Sequence, residues 1–211
     1  MRLLCQYVGQ RANRETQETG KFWESRFKAV KLLDEAALLA CSAYVDLNPI
    51  RAGIAKTLEE SEYISAHHRL QAMIDEAETK GDRRSNSSPK DAFLSPIRND
   101  ELRDAIGANL AKDNCRASDK GFLNMSRAEY LCLLDETARH QKDGKRASSK
   151  DLPSLLERVG MHTETWFCLI ENFGQLFYHV AGEPHRIATE RTRLQKRRYR
   201  VRLPVQQAFM R

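Results

Sequence analysis

No apolar run in this chain approaches the roughly 20 residues needed to cross a bilayer, and Met1-Arg2-Leu3-Leu4-Cys5 lacks the long hydrophobic region of a secretory signal. A membrane partner is therefore not expected, and the chain reads as cytoplasmic. Cysteine is sparse: Cys5, Cys41, Cys115, Cys132 and Cys168 are odd in number, widely scattered and without a Cys-x-x-Cys pair. That pattern argues against a disulfide framework or a zinc module. A Walker-type phosphate loop and a Gly-x-Ser-x-Gly elbow are also missing, which weakens nucleotide hydrolase and serine hydrolase readings.

Acidic residues are nearly absent from the C-terminal end. Residues 186–211 carry nine Lys or Arg against one acid. Because the whole chain has 35 basic and 29 acidic residues, residues 1–185 hold 26 against 28, so the end is +8 and the remainder −2. Arg197, Arg198 and Arg200, with Tyr199 among them, have the charge to neutralise phosphates and a ring to stack on a base. A solvated, mobile tail explains the same residues.

What is present suits a folded chain of one to two domains, with 211 residues of which 41% are hydrophobic. Leu3, Leu4, Tyr7 and Val8 predict a helix over residues 1–16, ended by Thr19-Gly20. Alternation over residues 22–33 predicts a strand, with Trp23 and Phe27 as core anchors. Asp34 caps a helix running to about Leu47, and Gly53 suits a tight turn after it. Ser61 starts a helix to residue 77 whose apolar face includes Tyr63, Ile64, His67, Leu70, Met73 and Ile74. Residues 79–90 read as a linker and domain boundary. Beyond them, Ala92-Phe93-Leu94-Ser95-Pro96 is a short docking segment, and residues 98–120 lack periodicity. Ser126 and Glu129 fit a capping box, Gly144 ends that helix, and Pro153 opens a short one closed by Gly160. Thr163 begins a strongly apolar helix whose face runs from Trp166 to Val180, buried in a three-helix core with its two predecessors or offered to a partner.

The most informative stretch is Ala43-Tyr44-Val45-Asp46-Leu47-Asn48-Pro49-Ile50-Arg51-Ala52-Gly53. Pro49 pushes Asn48 out of the α region, so the helix is expected to stop where Tyr44 and Asn48, four residues apart, share a face. A phenol with a reference pKa of about 10 is a weak nucleophile until a cation or base stabilises its phenolate. The Asn48 carbonyl is a hard oxygen that suits magnesium, which in turn stabilises charge in phosphoryl transfer. A core tyrosine with a satisfied hydroxyl fits the same spacing.

Upstream, Gly20-Lys21-Phe22-Trp23-Glu24-Ser25-Arg26-Phe27-Lys28 precedes Leu33-Asp34-Glu35 and the Tyr44 segment. In order and spacing, residues 20–53 resemble the REP-associated tyrosine transposases, single-tyrosine HUH enzymes with the pattern Gly-x-x-Trp-x-x-Arg-Phe, strand, helix, Tyr-x-x-x-Asn-Pro-x-Arg-Ala-Gly. The resemblance implies a ferredoxin-like α+β domain that cuts single-stranded DNA beside hairpins through a 5′-phosphotyrosine. It makes Tyr44 the nucleophile and Asn48 a ligand of a magnesium or manganese ion, with Arg26 and Arg51 toward DNA phosphate. The family's remaining ligands are two histidines flanking one hydrophobic residue, upstream of the tyrosine. Here His67, His68, His140, His162, His179 and His185 all lie downstream, and the adjacent His67-His68 point in different directions.

The resemblance therefore implies an α+β, mostly α chain with a remnant of antiparallel sheet. Residues 1–78 would be a partial, N-terminally truncated transposase domain, 91–185 a helical accessory region and 186–211 a basic tail. The expected function is that of a transposase-family protein that binds and processes DNA, with cleavage lost and no ion bound by this chain. The alternative is a noncatalytic DNA-binding or regulatory remnant, and a third possibility is an interaction module centred on residues 166–180.

Overall fold

The computed structural model describes residues 1–79, 89–98, 116, 118–143, 151–158, 160–195, 201, 205–206 and 209. The architecture is mostly helical: α1 (Arg2–Thr16), β1 (Lys31–Leu32), α2 (Glu35–Asp46), α3 (Asn48–Arg51), α4 (Ser65–Thr79), α5 (Arg127–Asp143), α6 (Asp151–Glu157), α7 (Thr163–Leu176), β2 (Val180–Ala181) and α8 (Pro184–Leu194). Among the described residues no helix is long and apolar enough to cross a membrane.

Asp34 does more than cap α2. Its Oδ1 accepts from the Ala37 amide at 2.8 Å, as an N-cap should. Its Oδ2 accepts from the Glu183 amide, also at 2.8 Å, and so fixes the start of α8 against the start of α2. Gly182 makes this approach possible, because a Cβ there would lie 2.7 Å from Asp34 Oδ2. The same junction holds the sheet. β1 and β2 pair in parallel, not antiparallel as expected, because β1's partner is the distant β2 and not a sequence neighbour: Lys31 pairs with Val180 and Leu32 with Ala181, flanked by Lys31 N–H to His179 O and Leu33 N–H to Ala181 O, each 3.0 Å.

The strand expected over residues 22–33 is thus reduced to two residues. Strands need a neighbour for their backbone groups, and of residues 22–33 only the backbone from Lys31 to Leu33 bonds to one, at residues 179–181. Trp23 and Phe27 are not core anchors either: they are 47% and 51% exposed. Pro49 does not expel Asn48 from helical geometry. Only Leu47 interrupts the path, and Pro49 is the second residue of α3, where its missing N–H costs nothing. Gly53, with φ of 69°, makes the expected turn.

α4 begins at Ser65 rather than Ser61, whose hydroxyl turns back to Thr57 O, and Tyr63 is 96% exposed. Val180 lies on β2, because α7 stops at Leu176 and Phe177 is extended. The first part of the basic tail is α8, with Ile187 buried and the tail's one acid, Glu190, paired with Lys31 and Arg193. Residues 80–88 of the expected linker, Gly144, and most of residues 98–120 lie outside the described residues.

One contiguous core runs from Ala36 to Val205. α2 packs chiefly on α7, so the boundary at 79–90 does not separate two cores. Small residues let the two helices approach: Ala36, Ala37, Ala40 and Ala43 are buried on α2 with Leu39 and Leu47. α7 contributes Trp166, Leu169, Ile170, Phe173 and Leu176, each worth about 1.5–3 kcal/mol when fully buried. The docking segment is held by Arg69, which donates to Ser95 O at 2.8 Å, and by Ile97 in the core.

The capping box forms as the sequence requires. Ser126 N–H donates to Glu129 Oε2 at 2.6 Å and Glu129 N–H donates to Ser126 Oγ at 3.2 Å. The Ser126 amide, followed by the Arg158 guanidinium, holds the Glu129 carboxyl down to about 2. A depressed carboxylate stabilises the fold fully above its ordinary value near 4.5 and ceases to do so as pH falls through about 2. In acid titrations followed by circular dichroism, Glu129→Gln should therefore lose less stability than the parent over that window. Parallel acid curves for the two proteins would contradict this.

Candidate functional site

Tyr44 lies near the end of α2 on the face turned to α7, half-buried. Its ring packs on Phe173 with centroids 5.6 Å apart, and the Arg51 guanidinium carbon lies over it, 4.4 Å from the centroid. A Cβ on Gly174 would stand 3.1 Å from Tyr44 Oη, so the hydroxyl occupies the notch that this glycine leaves in α7. Glycine inside a helix costs about 1 kcal/mol relative to alanine. Here it makes room for a phenol.

Arg51 closes the cluster. Its Nη2 donates to Glu171 O at 3.0 Å, tying α3 to α7, while its buried Nη1 has no hydrogen-bond partner among the described residues. The structure thus brings Tyr44 and Arg51 together. Asn48, the expected companion, is exposed at the first position of α3, and no hydrogen bond joins it to Tyr44 among the described residues. Arg26 is exposed on the segment before β1. Arg197, Arg198 and Arg200 lie outside the described residues.

Among the described residues no group of three His, Cys, Asp or Glu side chains is placed to share a metal. The groups packed on the Tyr44 ring are a guanidinium and a phenyl ring, a cation and an apolar surface. His67 and His68 lie on α4, half-buried with rings edge to face at 5.7 Å, and His68 packs on Phe93. Cys41, one turn before Tyr44, is a core residue whose thiol is pushed up by burial, which makes it a poor nucleophile.

On the side of α2 away from this cluster lies a polar network that the motif reading missed. Asp46, 3% exposed, accepts from Tyr130 Oη at 2.8 Å, from Ser65 Oγ at 2.9 Å and from the Ala66 amide at 3.4 Å. It serves as the cap of α4 from 20 residues away. Burial lowers the proton affinity of nearby Arg69, opposed by Asp91 and Asp46; burial and Asp46 raise the Tyr130 phenol well above its ordinary value. One signal was available in the sequence. An acid in the last turn of an apolar helix opposes the helix dipole, so it needs a partner elsewhere in the fold.

No family model matches the chain, and neither a curated protein nor a solved structure matches it.

Proposed function

We propose that this chain is a DNA-binding protein of the tyrosine transposase type in which Tyr44 no longer cleaves DNA. The observation that carries the reading is the pairing of Tyr44 with Arg51 instead of with metal-holding oxygens. The Arg51 guanidinium, half-buried on α3, supplies the positive charge that a phosphate backbone calls for. A phenol pressed into the Gly174 notch beneath it is poorly placed for in-line attack on phosphorus. The order of residues 20–53 and the +8 charge of residues 186–211 support a DNA ligand in the same direction.

The test is a hairpin-bearing single-stranded DNA incubated with the full chain and manganese, then resolved on a denaturing gel. No covalent adduct is expected. In fluorescence anisotropy, Tyr44→Phe should bind this DNA as the parent does, whereas Arg51→Ala should bind severalfold more weakly. An adduct that disappears in Tyr44→Phe would restore the DNA-processing reading, with Tyr44 as nucleophile and Asn48 as metal helper. Failure of the parent to bind DNA would remove both readings.

A further inference from the structure

We propose that Phe22, Trp23 and Phe27, with Arg26 and Lys28 between and beside them, form a stacking platform for single-stranded DNA. The proposal rests on the DNA-binding reading above and assigns it a surface distinct from the Tyr44 cluster. Phe22, Trp23 and Phe27 are 46%, 47% and 51% exposed, an unusual state for three large rings in six residues.

Two of these rings are nonetheless held. Trp23 Nε1 donates to Cys5 O at 2.8 Å, and the indole meets Phe22 edge to face at 4.8 Å. Gly9 supplies the seat: a Cβ there would lie 3.2 Å from Trp23 Nε1 and 3.3 Å from Phe22 Cβ. Asn13 Nδ2 completes the strap by donating to Gly20 O at 3.0 Å. Cys5, Gly9 and Asn13 fall at i, i+4 and i+8, one stripe of α1. Ring orientation is thus fixed before any ligand arrives, which lowers the ordering cost of binding.

The charges around the rings select the occupant. Lys21, Arg26 and Lys28 are exposed and make no ion pair among the described residues, against one acid, Glu24. Cations interleaved with exposed rings match a strand that offers phosphates and bases alternately. A purely apolar partner would leave those cations without counter-charge.

The chain has two tryptophans, and Trp166 is fully buried, so quenching of tryptophan emission by nucleobases reports on Trp23. Titration of the full chain with a 12-nucleotide oligothymidine should quench emission in the parent and leave Trp23→Phe unquenched. By anisotropy, Trp23→Ala should weaken binding about tenfold. Phe27→Ala, whose ring takes no part in the α1 strap, should also weaken it severalfold and guards against a folding defect in the first variant. Arg26→Ala with Lys28→Ala should lower the salt slope by about 1.4. If the parent binds but emission and the Trp23→Ala and Phe27→Ala affinities are unchanged, the platform is wrong and the DNA-binding reading stands. If the parent does not bind, both fail. Sedimentation showing DNA-independent dimers abolished by Trp23→Ala would overturn the platform in favour of a second copy of this chain.

Discussion

Asp46→Ala is expected to cost about 3–5 kcal/mol of stability, the range for breaking a buried charged network from one side. The carboxylate has three donors, and deleting it leaves the Tyr130 and Ser65 hydroxyls and the Ala66 amide without their acceptor. It also leaves Arg69, 4% exposed, with Asp91 as its remaining counter-charge. Tyr130→Phe removes one donor and leaves the others in place, so it should cost only about 1 kcal/mol. Urea unfolding of the two variants measures the ratio. Equal costs would mean that the carboxylate is not the hub.

Trp166→Ala is the second large effect, about 3–5 kcal/mol. The indole is fully buried where α5, α6 and α7 meet the core, and its Nε1 donates to Thr137 Oγ1 at 3.0 Å. Thr137 in turn donates to Leu133 O at 2.6 Å, so the hydroxyl keeps one bond when the indole is lost. The cavity therefore dominates over the polar loss. Trp166→Phe should recover more than half of the stability by refilling most of the volume. Thermal unfolding decides: a cost under about 1 kcal/mol for the alanine variant would show that α7 is not packed as described.

Features set by neighbouring residues were readable in advance. Asp34 as the cap of α2, the Ser126–Glu129 box and the start of α7 at Thr163 each depend on groups within about one turn. The extent of β1 was not readable, because its partner lies near residue 180 and pairing decides where a strand exists. Exposure of Trp23 and Phe27 was hidden for a related reason: an aromatic pattern tells which residues are sticky, not what covers them. The Tyr44 site was half legible. Its helix and position near the helix end follow from local residues, but Asn48 at i+4 is the expected neighbour only where Pro49 ends the helix. Since α3 continues with only Leu47 intervening, two full turns bring i+7, Arg51, back over the ring.

The Asp34 link to Glu183 spans 149 positions of chain. During synthesis, α2 leaves the ribosome long before α7 and β2 exist to cover it. At about 5–20 residues per second, its row of alanines and leucines stays bare for several seconds or more. A nascent chain arrested near residue 79 should accordingly be a substrate for holdase chaperones, and native burial of Tyr44 must await synthesis of α7.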